Sequence, residues 1–103
     1  MKKLQVIWSA EALVDLETIF DFLAEKSQQA AQRIIESMLA RAKQLETFPE
    51  SGARHDVVKS ESKQYRYLVE GNYKIIYSYQ SDNQAVYIEI VFDTRYNPDK
   101  LKE

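Results

Sequence analysis

The stretch YRYLVEGNYKIIYSY, residues 65 to 79, decides the fold. Two runs rich in tyrosine and β-branched residues flank Gly71-Asn72, a pair that tolerates positive φ and so suits a two-residue hairpin turn. Such a turn fixes the register: Glu70 faces Tyr73, and Val69 faces Lys74. Tyr65, Tyr67, Val69, Lys74 and Ile76 then share one face, and Arg66, Leu68, Tyr73, Ile75 and Tyr77 the other. Both faces are substantially apolar, so the one turned away from the main core is expected to meet something as well. Seven tyrosines in the chain point the same way, because tyrosine combines a large contact area with a polar tip.

A third β-rich run, AVYIEIVF (85 to 92), follows a polar turn at Ser81-Asp82-Asn83. Simple alternation predicts that Val86, Ile88, Ile90 and Phe92 face the core together. Upstream, KLQVIW (3 to 8) alternates Leu4, Val6 and Trp8 against Lys3, Gln5 and Ile7, as a strand does. Ser9 stands at a helix N-cap position, and Ala12, Leu13, Leu16, Ile19, Phe20 and Leu23 then recur at helical spacing to about Lys26. Ser27 is a second N-cap, followed by Ala31, Ile34, Ile35, Met38, Leu39, Ala42 and Leu45 in a helix ending near Thr47, ahead of Pro49. So short a link makes the helices an antiparallel hairpin. Residues 49 to 64 read as a polar loop with a short pairing at Val57 and Val58. The order β-α-α-β-β-β predicts a single α+β domain, 1–103, with the helical hairpin on one face of a mostly antiparallel, twisted sheet.

Composition narrows the chemistry. The 103 residues hold no cysteine and one histidine, His55, so disulfides, thiolate nucleophiles and the usual zinc ligand sets are excluded. A serine–histidine triad would have to use His55, which lies in the polar loop beside Arg54 and Asp56 and reads as a solvated side chain. Two glycines leave no room for a phosphate-binding Gly-rich loop. The N-terminal MKKLQVIWSAEA has too brief an apolar run for a signal peptide or a membrane span, which makes the cytoplasm the expected compartment. The formal charge is −2, whereas a domain that grips nucleic acid with its whole surface is normally basic. Any cationic site is therefore local. The candidates are Arg66 and Lys74 in the hairpin, with Arg95 and Tyr96 in VFDTRYNP (91 to 98). Arginine offers a planar fork, lysine a point charge, and tyrosine a group that stacks or exchanges a proton. The bland alternative is that these cations keep a sheet surface soluble.

Taken together, IWSAEALVDLETIFDFL at the first helix, LETFPESG closing the second, RYLVEGNYKIIYSY in the hairpin and VFDTRYNPDKL at the end resemble the RelE/ParE superfamily of toxins from type II toxin–antitoxin systems. The similarity runs from about residue 4 to residue 101. It implies one of two activities. RelE-like members cut messenger RNA in the ribosome, holding phosphate with arginines and lysines and using a tyrosine or histidine for proton transfer. ParE-like members cut no RNA and poison DNA gyrase. Both are silenced by an antitoxin that wraps the toxin. Under the nuclease alternative, Lys74, Arg95 and Arg66 would hold phosphate and Tyr96 would move the proton. Under the ParE-like reading, Tyr65, Tyr67, Val69, Ile76, Arg95 and Tyr96 are expected to meet partners: the cognate antitoxin and gyrase.

The departures from the nuclease pattern favour the ParE-like reading. Lys74 replaces a bidentate arginine, Asp93 stands close enough to Arg95 to occupy it, and the chain is acidic overall. No cofactor, metal or membrane is implied, and DNA would be reached only through the antitoxin. A non-toxic adaptor that keeps the fold is the remaining possibility.

Overall fold

A computed structural model describes residues 3–54, 64–80 and 84–95 of the chain. His55, the Val57–Val58 pairing, the turn at 81–83 and Tyr96 lie outside the described residues. Strand β1 (Gln5–Trp8) leads into helix α1 (Ala10–Ala24), helix α2 (Gln28–Lys43) and a 3-10 turn (Gln44–Glu46). Strands β2 (Ala53–Arg54), β3 (Gln64–Glu70), β4 (Tyr73–Gln80) and β5 (Ala85–Asp93) follow. The sheet order is β1-β5-β4-β3-β2, antiparallel throughout except for the β1–β5 pair. The expected β-α-α-β-β-β order thus gains one short strand, β2, which pairs Ala53 with Tyr67 and Arg54 with Arg66.

Local chemistry sets the boundaries. Both predicted N-caps form: Ser9 Oγ accepts from the Ala12 N–H at 3.0 Å, and Ser27 Oγ from the Ala30 N–H at 3.1 Å. The Gly71-Asn72 turn places Glu70 opposite Tyr73 and Val69 opposite Lys74, as the turn chemistry predicts, with Gly71 at φ +61°. The main core lies between the helices and the sheet, where Ala12, Met38 and Leu45 meet Leu68, Ile75, Tyr77, Val86, Ile88 and Val91.

One expectation for β5 is corrected. Ile76 pairs with Ile90 but Tyr77 pairs with Ile88, so Glu89 is an extra residue that bulges from the strand. A one-residue insertion reverses the alternation beyond it. Val86, Ile88 and Val91 therefore face the helices, whereas Ile90 and Phe92 join Ile76 in a second cluster on the opposite face, flanked by Tyr65 and Tyr67.

Helix α1 completes the bulged strand. Register pairing of β1 with β5 ends at Trp8–Ile88, which would leave the β5 backbone beyond it without strand partners on that side. Ser9 Oγ donates to the Glu89 carbonyl at 2.8 Å, and the Val91 N–H donates to Asp15 Oδ2 at 2.9 Å. Two polar side chains of the helix entrance thus satisfy backbone groups that would otherwise be orphaned. On the strand's other side, Glu89 accepts from the buried Ser78 hydroxyl at 2.7 Å.

Two residues assigned to the helical core by spacing are instead largely exposed: Leu13 at 55% and Leu39 at 44%. Ala12, Leu16, Ala31, Met38 and Ala42 are the residues that fill the seam. Small alanines let the helices sit close to the sheet, and a close seam is narrow, so flanking apolar residues are pushed to its rim.

Candidate functional site

The hairpin end of the sheet brings together Val69, Lys74 and Arg95 among the candidate residues. Phe92 lies opposite Lys74 and Asp93 opposite Tyr73, and Thr94 donates to the Asn72 carbonyl through both its N–H (2.8 Å) and its Oγ (2.9 Å). The chain leaving β5 is thereby tied to the Gly71-Asn72 turn. Lys74 and Arg95 consequently share one end of the sheet.

They do not form a clamp. Lys74 stands on the face away from the helices, with its Nζ 4.3 Å from the centroid of the Tyr67 ring, a cation–π arrangement. Arg95 is drawn into a two-pronged pair with Asp93: Nε to Oδ1 at 3.1 Å and an η-nitrogen to Oδ2 at 2.9 Å, with the Arg95 backbone N–H also donating to Oδ1 at 2.9 Å. Asp93 itself is opposite Tyr73, whose ring belongs to the helix-side core. The two cations are therefore organised on different faces.

The fork from Arg95 holds the Asp93 carboxyl below its ordinary value of 3.8; partial burial opposes this, and the backbone hydrogen bond and the arginine's charge reinforce it. A carboxylate with a depressed folded-state pKa contributes stability above its unfolded pKa and loses it as pH falls through the folded value. The stability difference between the wild type and Asp93→Asn is thus expected to stay flat from about pH 8 to about pH 5 and to shrink only below about pH 4. Denaturant melts of both proteins across that range check it.

Arg66 has a different occupation. It lies on the helix-facing side of β3, opposite Tyr77, and one η-nitrogen donates to the carbonyls of Gly52 at 2.9 Å and Glu50 at 3.3 Å. From there it pins the loop between the 3-10 turn and β2. Tyr77 does the same from β4, donating its hydroxyl to the Pro49 carbonyl at 2.8 Å and accepting from the Gly52 N–H at 3.0 Å. Gln44 adds a third tie through Ser51 Oγ at 2.9 Å. Burial raises the Tyr77 pKa, so its hydroxyl stays protonated at neutral pH.

Of the expected partner contacts, Tyr65 and Tyr67 are half-buried beside the second cluster, and Val69 is 47% exposed. Ile76 has no exposed surface and supports this face from beneath. Sequence reasoning did not single out Val14 and Phe22 on α1, which are 61% and 57% exposed. The signal was present: the apolar residues at 14 and 22 fall outside the arc marked by Ala12, Leu16, Ile19 and Leu23. Among the described residues no group of three or more His, Asp or Glu side chains is placed to hold a metal ion. No helix among them is long and apolar enough to cross a membrane.

Comparison with known proteins fits this geometry. The fold is similar to that of a chain in the chromosomal ParDE toxin–antitoxin system of P. aeruginosa, with TM-score 0.68 and 14% identity over 88% of this chain and 96% of that one. A chain of the Mycobacterium tuberculosis RelBE2 toxin–antitoxin complex matches with TM-score 0.62 and 18% identity, covering 90% and 93%. A chain of the archaeal RelE–RelB complex of Pyrococcus horikoshii OT3 gives 0.65 and 14%, covering 88% and 94%. At these identities the likeness speaks for the fold alone. No curated protein matches the sequence. The family model for the ParE toxin of the type II toxin–antitoxin system parDE matches residues 6–98, nearly the whole chain. The chain belongs to the ParE toxin family of type II toxin–antitoxin systems.

Proposed function

We propose that this ParE toxin stops growth by binding DNA gyrase, or a related DNA-associated enzyme, in the cytoplasm, and that its cognate antitoxin neutralises it. The observation that carries the choice of target is the state of the three cations. A phosphate clamp needs its positive groups convergent and available. Here Arg95 is held by Asp93, Arg66 is engaged with loop carbonyls, and Lys74 lies on the face opposite Arg66. Freeing Arg95 means breaking a charge-assisted two-pronged pair, and freeing Arg66 means unpinning a loop. A mode of action through surface contact requires neither.

Expression of the chain alone from an inducible promoter tests this. The expected result is arrested growth with induction of the DNA-damage response and intact transcripts, reversed when the antitoxin is supplied. Cleavage of messenger RNA in the ribosomal A site, abolished by Arg95→Ala or Tyr96→Phe, would overturn it in favour of the nuclease. Normal growth at high expression would point to a non-toxic adaptor.

A further inference from the structure

Phe48 is exposed and rigidly held at once. At 63% it is more exposed than any other large hydrophobic side chain among the described residues, and it belongs to neither hydrophobic cluster. A solvated phenylalanine adds nothing to the core, yet the backbone that carries it is tied on both sides. Its N–H donates to the Gln44 carbonyl at 2.9 Å, and its carbonyl accepts from both the Ser51 N–H (3.1 Å) and Ser51 Oγ (2.8 Å). These bonds close a β-turn over residues 48–51 with Pro49 in the second position, where the proline ring pre-sets φ. Tyr77 and Arg66 hold Pro49, Glu50 and Gly52 from the sheet, so every residue from 48 to 52 is fixed by its backbone. An exposed apolar group on a rigid loop suits a binding anchor, because its loop is ordered before the partner arrives.

We propose that Phe48 is the anchor through which the toxin grips its target enzyme, inserting its ring into an apolar pocket rimmed by Lys or Arg side chains. The proposal rests on the gyrase reading and names a contact that this reading requires. Shape and charge choose the occupant. An exposed ring presented on a turn needs a preformed concave pocket, which a folded enzyme offers and an extended, wrapping segment does not. Residues 44–52 carry Glu46 and Glu50 and no lysine or arginine, so the surroundings of the ring favour a cationic rim and repel nucleic acid and anionic lipid. A second copy meeting through the same turn would set these carboxylates against each other.

The test is supercoiling of relaxed plasmid by purified gyrase, titrated with the full-length toxin, beside calorimetric binding of the antitoxin encoded by the adjoining reading frame. Phe48→Ala should raise the toxin concentration for half-inhibition by about tenfold or more, the effect of truncating a central anchor. It should melt with the wild type and bind the antitoxin as tightly, since the ring belongs to neither core cluster. Ser51→Ala keeps the ring but removes the hydroxyl that links the Phe48 carbonyl to Gln44. It should weaken inhibition by about two- to fivefold, a loss that comes from rigidity alone. Inhibition by Phe48→Ala at the wild-type concentration would overturn the proposal and leave the gyrase reading intact. Loss of antitoxin binding with inhibition unchanged would also overturn it, because Phe48 would then serve the antitoxin. A wild-type toxin that leaves supercoiling undisturbed would overturn that reading and the proposal with it.

Discussion

Replacing Gly52 with alanine should cost about 3 kcal/mol of stability, the upper part of the range for overpacking a closed site. Gly52 is buried, and a Cβ there would lie 2.6 Å from the Tyr67 carbonyl oxygen, 2.7 Å from the Tyr77 hydroxyl oxygen and 2.8 Å from Tyr77 Cε1. None of these can step aside cheaply. The carbonyl belongs to β3, held between β2 and β4, and the Tyr77 ring is fully buried in the main core. Alanine at 52 must therefore push the loop away from β4, and the ties from Tyr77 and Arg66 to that loop stretch or break with it. Urea denaturation checks the figure; a Gly52→Ala protein within about 0.5 kcal/mol of the wild type would show that the loop adapts freely.

Tyr77→Phe comes second, with an expected loss of about 2 to 4 kcal/mol. The ring and its packing survive, so the whole effect comes from one oxygen. That oxygen donates to Pro49 and accepts from Gly52, and its removal orphans a carbonyl and an N–H at the inner side of the loop. Leaving a buried group unsatisfied costs more than the net gain of an average hydrogen bond, which is why a single atom weighs so much here. The two substitutions should also couple. Without the tyrosine oxygen, one of the three close approaches to an added Cβ disappears, so the double variant should be destabilised by less than the sum of the single losses. A double-mutant cycle in urea checks this, and strict additivity would mean that the two residues do not act on the same contact.

The hairpin was legible because its information is local: Gly71-Asn72 fixes the turn, the turn fixes the register, and the register fixes which side chains share a face. The Arg95–Asp93 pair was legible for the same reason, two opposite charges two residues apart at a strand end. The faces of β5 were not. Nothing in AVYIEIVF marks Glu89 as the bulged residue, because the bulge is stabilised by Ser9, Asp15 and Ser78, which are distant in sequence. Arg66 shows the same limit. Its charge suggested a phosphate ligand, whereas its actual partners are carbonyls brought up by a loop more than ten residues away. On α1, periodicity found the inward stripe but placed Leu13 in it, since a wide apolar arc does not reveal how much of itself a narrow alanine-lined seam can bury.

Family membership and the engagement of Arg66 and Arg95 both support the proposal of a toxin that works by contact. The measurement that tests this most directly is gyrase supercoiling of relaxed plasmid with the purified toxin added, run beside a ribosome-dependent messenger RNA cleavage assay on the same preparation. Loss of supercoiling that the antitoxin reverses, with messenger RNA left whole, is the expected result. Undisturbed supercoiling with messenger RNA cut in the A site would contradict it.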